Sequence, residues 1–283
     1  MKMLRTLFIT GSVLLLLSSC GGREAPATSV TDTPPVQPKQ ETQPVPITPE
    51  ETIIEGDQTQ EECTTVNDTD GLPLLTAYIT RPDVSGLVDG AAKKAIDRYY
   101  DELYRKEAEW WTGDLVNFAR ENKKAAEDYG SEFMPFSIAE TSEIVYDGSA
   151  FVSIRRDLET YTGGAHGSHA VSCENFRKSD GSLVKLAELF READYKNALL
   201  QLLTQTIEGM EKQQSLYDNW QELLDQTFDA DRFLIGPEAL TIVYQEYDIA
   251  PYALGVQTFP LSYADLSNVL SEPFLREIYG GKE

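Results

Sequence analysis

His166 and His169 are the only two histidines in the chain, and they sit three positions apart beside a glycine pair, in Tyr161-Thr162-Gly163-Gly164-Ala165-His166-Gly167. Two imidazoles that close suggest a metal, with Asp157 or Glu174 as a third ligand. A zinc site needs three or four convergent ligands. On a strand, however, positions i and i+3 point to opposite faces, and 47 acidic side chains place a carboxylate near almost anything. No metal site and no cofactor are therefore assigned. Two readings of the segment stay open. As a tight turn, Gly163 and Gly164 supply positive φ and His166 bonds nearby backbone. As a binding loop, Tyr161, Gly163, Gly164, His166 and His169 are presented to a partner from a rigid scaffold.

Covalent catalysis finds less support. Of three cysteines, Cys63 and Cys173 lie in predicted strands, and Cys20 has another use. There is no G-x-S-x-G elbow for a serine hydrolase, and chance carboxylate pairs in so acidic a chain say nothing specific about glycoside hydrolysis. No catalytic residue is assigned. In an oxidising compartment Cys63 and Cys173 are the candidate disulfide, closing a loop of about 110 residues at a gain of a few kcal/mol.

The elements that must position these residues begin near residue 59. Cys63–Val66 and Leu74–Thr80 read as short strands around the turn-prone Asn67-Asp68-Thr69-Asp70-Gly71. From about residue 88 a long amphipathic helix carries Ile96, Tyr99, Leu103, Trp111, Leu115 and Phe118 at helical spacing. Trp110 and Trp111 would suit a sugar-stacking platform, although helical spacing puts at least one of them in the core. Beyond Gly130 the period becomes two: Ala150, Val152 and Ile154 alternate after a hairpin at Tyr146–Ser149, and a strand covers Ala170–Phe176. A short helix at Leu183–Phe190, a longer one carrying Leu199, Leu203, Ile207 and Met210, a strand at Leu240–Tyr244 and a last helix at Ser262–Leu270 complete the pattern. The class is α+β, with long helices packed on antiparallel sheet.

The N-terminus reads as an address. Lys2 and Arg5 precede an apolar run, Leu7–Leu17, too short to span a bilayer. Leu17-Ser18-Ser19-Cys20-Gly21 resembles a bacterial lipobox, which implies a signal peptide at 1–19 and a lipidated Cys20 tethering the protein to the cell envelope. Residues 20–58, with Pro34, Pro35, Pro38, Pro44, Pro46 and Pro49 among Thr, Gln and Glu, form an extended linker. A formal charge of −23 opposes binding to nucleic acid.

Three segments carry a family resemblance. Tyr161–Gly167, Asp180-Gly181-Ser182-Leu183-Val184-Lys185-Leu186-Ala187-Glu188-Leu189-Phe190 and Tyr247-Asp248-Ile249-Ala250-Pro251-Tyr252-Ala253-Leu254-Gly255, followed by Phe259-Pro260-Leu261-Ser262-Tyr263, occur in order. Together they resemble the extracytoplasmic domain family of the lysozyme-sensing anti-sigma factor RsiV, which also occurs beside peptidoglycan deacetylases. The resemblance implies two α+β domains, 59–165 and 166–283, and an ectodomain without the family's membrane helix or deacetylase domain. It also implies a ligand: a lysozyme-like muramidase or other basic envelope protein, which an acidic domain attracts at long range. A peptidoglycan- or polysaccharide-binding lipoprotein and a cell-wall hydrolase using His166 are the competing functions.

Overall fold

The computed structural model describes residues 60–280; the expected signal peptide, lipidated Cys20 and linker lie outside the described residues. Strands β1 (Gln60–Asn67) and β2 (Pro73–Arg81) form a hairpin, and the chain then enters helix α1 (Gly90–Trp110). One π turn, Trp111–Leu115, joins α1 to α2 (Val116–Tyr129), which ends on Gly130 in the left-handed conformation. Strands β3 (Phe136–Asp147), β4 (Phe151–Tyr161) and β5 (Ser168–Arg177) follow. The sheet order is β1-β2-β3-β4-β5.

One pair departs from the antiparallel expectation: β2 and β3 run parallel. A parallel pair needs a crossover, and the α1–α2 helix provides it. The π turn also splits the buried face of that helix in two. α1 buries Ala92, Ile96, Tyr100 and Tyr104 with Val152, Ile154 and Phe176, whereas α2 and the turn bury Trp111, Leu115, Val116 and Ala119 with Leu75, Phe136 and Ile138. Trp111 is thus core, and Trp110 is 46 % exposed.

The C-terminal part stacks α3 (Tyr195–Glu208) and α4 (Trp220–Gln226) with a second sheet of β6 (Phe233–Ile235), β7 (Ala239–Tyr244) and β8 (Gln257–Ser262), all antiparallel. Leu199, Leu203 and Ile207 form the buried stripe of α3, as their spacing predicts. Two short elements differ from expectation. Leu183–Phe190 contains only one 3₁₀ turn, Leu186–Leu189. The last helix is not Ser262–Leu270, of which residues 263–269 form turns, but α5 (Glu272–Tyr279). There the Ser271 hydroxyl accepts from the Phe274 amide at 3.4 Å and Pro273 fits the first turn.

The division at 165/166 falls in the loop between β4 and β5, hydrogen-bonded neighbours of one sheet; the passage from the first sheet to the second comes after β5. The disulfide requires a correction. Cys63 and Cys173 lie on β1 and β5, the two outer strands, and both thiols are free. Four strand spacings of about 4.8 Å separate them, whereas a bridge needs Cα atoms within about 7 Å.

Candidate binding cleft

Where β4 ends, the glycine-rich segment turns back into β5. Gly163 and Gly164 take φ of +92° and +90° with open space where a Cβ would be, so the turn uses their backbone freedom and not a close approach. Gly167 differs, since a Cβ there would meet the Thr160 carbonyl oxygen at 2.6 Å. The turn is held by its own side chains. The Tyr161 hydroxyl donates to the Gly164 carbonyl at 3.2 Å, and His166 Nδ1 lies 2.7 Å from the Gly167 carbonyl. A carbonyl only accepts, so Nδ1 carries hydrogen.

The imidazole of His166 then stacks on Tyr252, ring centroids 4.1 Å apart and planes 24° from parallel, and Tyr247 continues the stack at 5.9 Å and 28°. Tyr252 opens the 3₁₀ turn Tyr252–Leu254, which Gly255 closes with φ +62°. Tyr247 has a left-handed backbone (φ +66°) in the turn where the Asp248 amide donates to the Gln245 carbonyl at 3.1 Å. Asp248 fastens that turn by accepting from the Gln245 amide at 2.6 Å and from Arg232 at 2.8 Å. The turn is pinned to the outer edge of β5 as well. The Gln245 side chain exchanges two hydrogen bonds with the Val171 backbone, and Glu246 accepts from the His169 amide at 3.1 Å.

These turns enclose an open cleft of about 330 Å³ whose walls include Ser137, Glu159, Tyr161, Ser168, His169 and Tyr252. His169 Nε2 donates to Asp157 at 2.7 Å, and Asp157 also accepts two bonds of 2.6 Å from Arg155. Burial alone would raise the pKa of Asp157; the Arg155 and His169 bonds outweigh it and hold the carboxyl below its usual value.

Of the sequence-predicted residues, Tyr161 and His169 line this cleft; Gly163, Gly164 and His166 form the adjoining turn, where His166 reaches the cleft only through its stack on Tyr252. The two imidazoles are separately engaged, one with Tyr252 and one with Asp157, and among the described residues no three metal-ligating side chains converge. Glu174, a candidate third ligand, lies elsewhere: it is buried beside Arg156. Trp110 is not among the residues lining the cleft. Sequence reasoning gave no role to Tyr247, Tyr252 or Glu246. The available signal was the pair of aromatic residues flanking Pro251 in the third family-like segment.

Residues 187–264 match a family described as a protein of unknown function, DUF3298, and residues 72–169 match the family Deacetylase PdaC. The chain is 27 % identical over 214 residues to the anti-sigma-V factor RsiV of Bacillus subtilis (strain 168), covering 70 % of this chain and 67 % of that protein. It superposes on a DUF3298 family member from Bacteroides fragilis with a TM-score of 0.54 at 20 % identity, over 78 % of this chain and 96 % of the other. A DUF3298 family protein from Pseudomonas aeruginosa gives 0.47 at 12 %, over 78 % and 97 %.

Proposed function

From a chain that carries the DUF3298 and PdaC segments and the motifs of the RsiV-like extracytoplasmic family, we propose a non-enzymatic envelope protein that captures a basic partner, a lysozyme-like muramidase, at the Tyr252 cleft. The observation that carries this reading is the meeting of two separate family-like segments. His166, from the first, stacks on Tyr252, from the third, at the mouth of an open cleft. Exposed aromatic residues on tight turns lose little entropy when they are covered, which suits them to recognition. Glu159 on the cleft wall and the chain's charge of −23 favour a cationic partner through long-range attraction. A lipid tether at Cys20 would hold this surface outside the membrane.

Calorimetry of the purified protein with hen lysozyme, at low and at moderate salt, tests the proposal. Binding that weakens as salt rises is the expected result, and no heat at either salt rejects it. The stack also offers a sugar-sized aromatic face, since Tyr247 is 54 % exposed. Sedimentation with cell-wall material and no response to lysozyme would favour the peptidoglycan-binding alternative.

A further inference from the structure

The opposite face of the same sheet holds a buried ionic cluster with too little positive charge. Arg156 on β4 is 5 % exposed and lies between Glu140 of β3 at 2.5 Å, Glu174 of β5 at 3.1 Å and Glu107 of α1 at 3.3 Å. Glu140 and Glu174 are themselves 2 % and 4 % exposed. Three carboxyls thus meet one guanidinium. The other cation at the cluster, Arg81 of β2, packs over the Tyr104 ring at 4.7 Å and turns its guanidinium to Glu62 and Asp101 at 3.4 and 3.7 Å. The remaining titratable groups facing the cluster are the phenols of Tyr99, Tyr100 and Tyr104 on α1. Tyr104 is bonded to the Ser142 hydroxyl at 3.3 Å.

Unpartnered atoms collect here. Among the described residues five buried side-chain polar atoms lack a hydrogen-bond partner, and four belong to this cluster: Arg81 Nε, Tyr100 Oη, Glu107 Oε2 and Glu174 Oε2. An ionised carboxylate oxygen buried without a donor is costly. A proton on that oxygen removes the charge and turns the atom into a donor.

We propose that the Glu107–Glu140–Glu174 cluster around Arg156 is a proton-binding site, and that the bound proton fastens the C-terminal half of α1 to the five-stranded sheet. The titration agrees in direction: burial pushes Glu107 up to about 7 and raises Glu174 against the pull of Arg156. A carboxyl raised on folding contributes stability that is complete below its unfolded pKa and is lost as pH rises through the folded value. The α1 attachment therefore weakens from mildly acidic to alkaline pH.

The test is equilibrium unfolding of the purified protein at about pH 5 and about pH 8, in about 0.5 M sodium chloride to screen surface repulsion. The expected result is a lower melting temperature at the alkaline end, with Glu107→Gln and Glu174→Gln each reducing that fall. A carbon-13 titration of the glutamate carboxyls in the unmutated protein keeps the question open to refutation if a variant fails to fold. At least one carboxyl stays protonated to near neutral pH if the site exists. Every glutamate titrating in the ordinary range near 4.3, or an alkaline fall that survives both substitutions, overturns the proposal.

Discussion

The ring of His166 lies face to face with the ring of Tyr252 at a centroid distance of 4.1 Å, so a turn closing the β4–β5 hairpin and a turn following β7 share one contact. His166 is exposed and bonded only within its own turn. Truncating it therefore removes little buried surface from the fold but strips one face of Tyr252. His166→Ala should weaken lysozyme binding by about 1–3 kcal/mol, in the range of an interface anchor, and leave the melting temperature nearly unchanged. Calorimetry and thermal unfolding on one preparation decide between the open readings. Lost stability with intact affinity would make the segment a structural turn and nothing more.

This contact also marks where sequence reasoning stopped. Periodicity located the long helix, the hairpins and the α3 stripe because each is a local pattern of burial. It missed the parallel β2–β3 pair, since strand direction depends on where the α1–α2 crossover returns the chain. The apolar spacing of Tyr263, Leu266 and Leu270 imitated a helix; those residues are buried by turns, and the Ser271–Pro273 start signal was the better guide. The cleft was half legible. The histidine loop stood out by composition, but only the fold brings Tyr252 to it. The Arg156 cluster was invisible, because its members come from α1, β3, β4 and β5 and each alone reads as a surface charge.

Two glycines with similar φ should respond differently to alanine. Gly181, at φ +73°, would aim a Cβ at the Ala92 carbonyl oxygen 2.3 Å away in α1, whereas Gly164 at +90° faces open space. Gly164→Ala should cost about 1–2 kcal/mol of left-handed strain. Gly181→Ala adds a clash with backbone and should cost about 3 kcal/mol or more. Urea denaturation gives the ranking. Equal costs, or the reverse order, would mean that the Asp180–Ser182 turn does not press against α1.

Asp157 contributes to the acid side of the stability profile. Its pKa is lowered on folding, because the Arg155 and His169 bonds outweigh burial. A lowered carboxyl contributes stability that is present above the unfolded pKa, about 3.9, and is lost as pH falls through the folded value. Asp157→Asn should lower stability at neutral pH and flatten the loss on acidification. Acid unfolding curves of both proteins at fixed salt measure this. An unchanged acid slope would show that the Arg155–Asp157–His169 contact contributes nothing in solution.

The two described thiols should differ in rate. Cys63 is exposed on the edge strand β1. Burial pushes the Cys173 thiol up to about 12, so at neutral pH it holds almost no thiolate, the nucleophilic form. A maleimide added to the native protein without reductant should label Cys63 rapidly and Cys173 only after unfolding, and Cys63→Ser should abolish the rapid phase. Peptide mass mapping assigns each label. Both thiols staying silent even after unfolding, until a reductant is added, with one peptide joining them, would mean a bridge between them, which β1 can make only by leaving its pairing with β2. That outcome would therefore contradict the strand order itself.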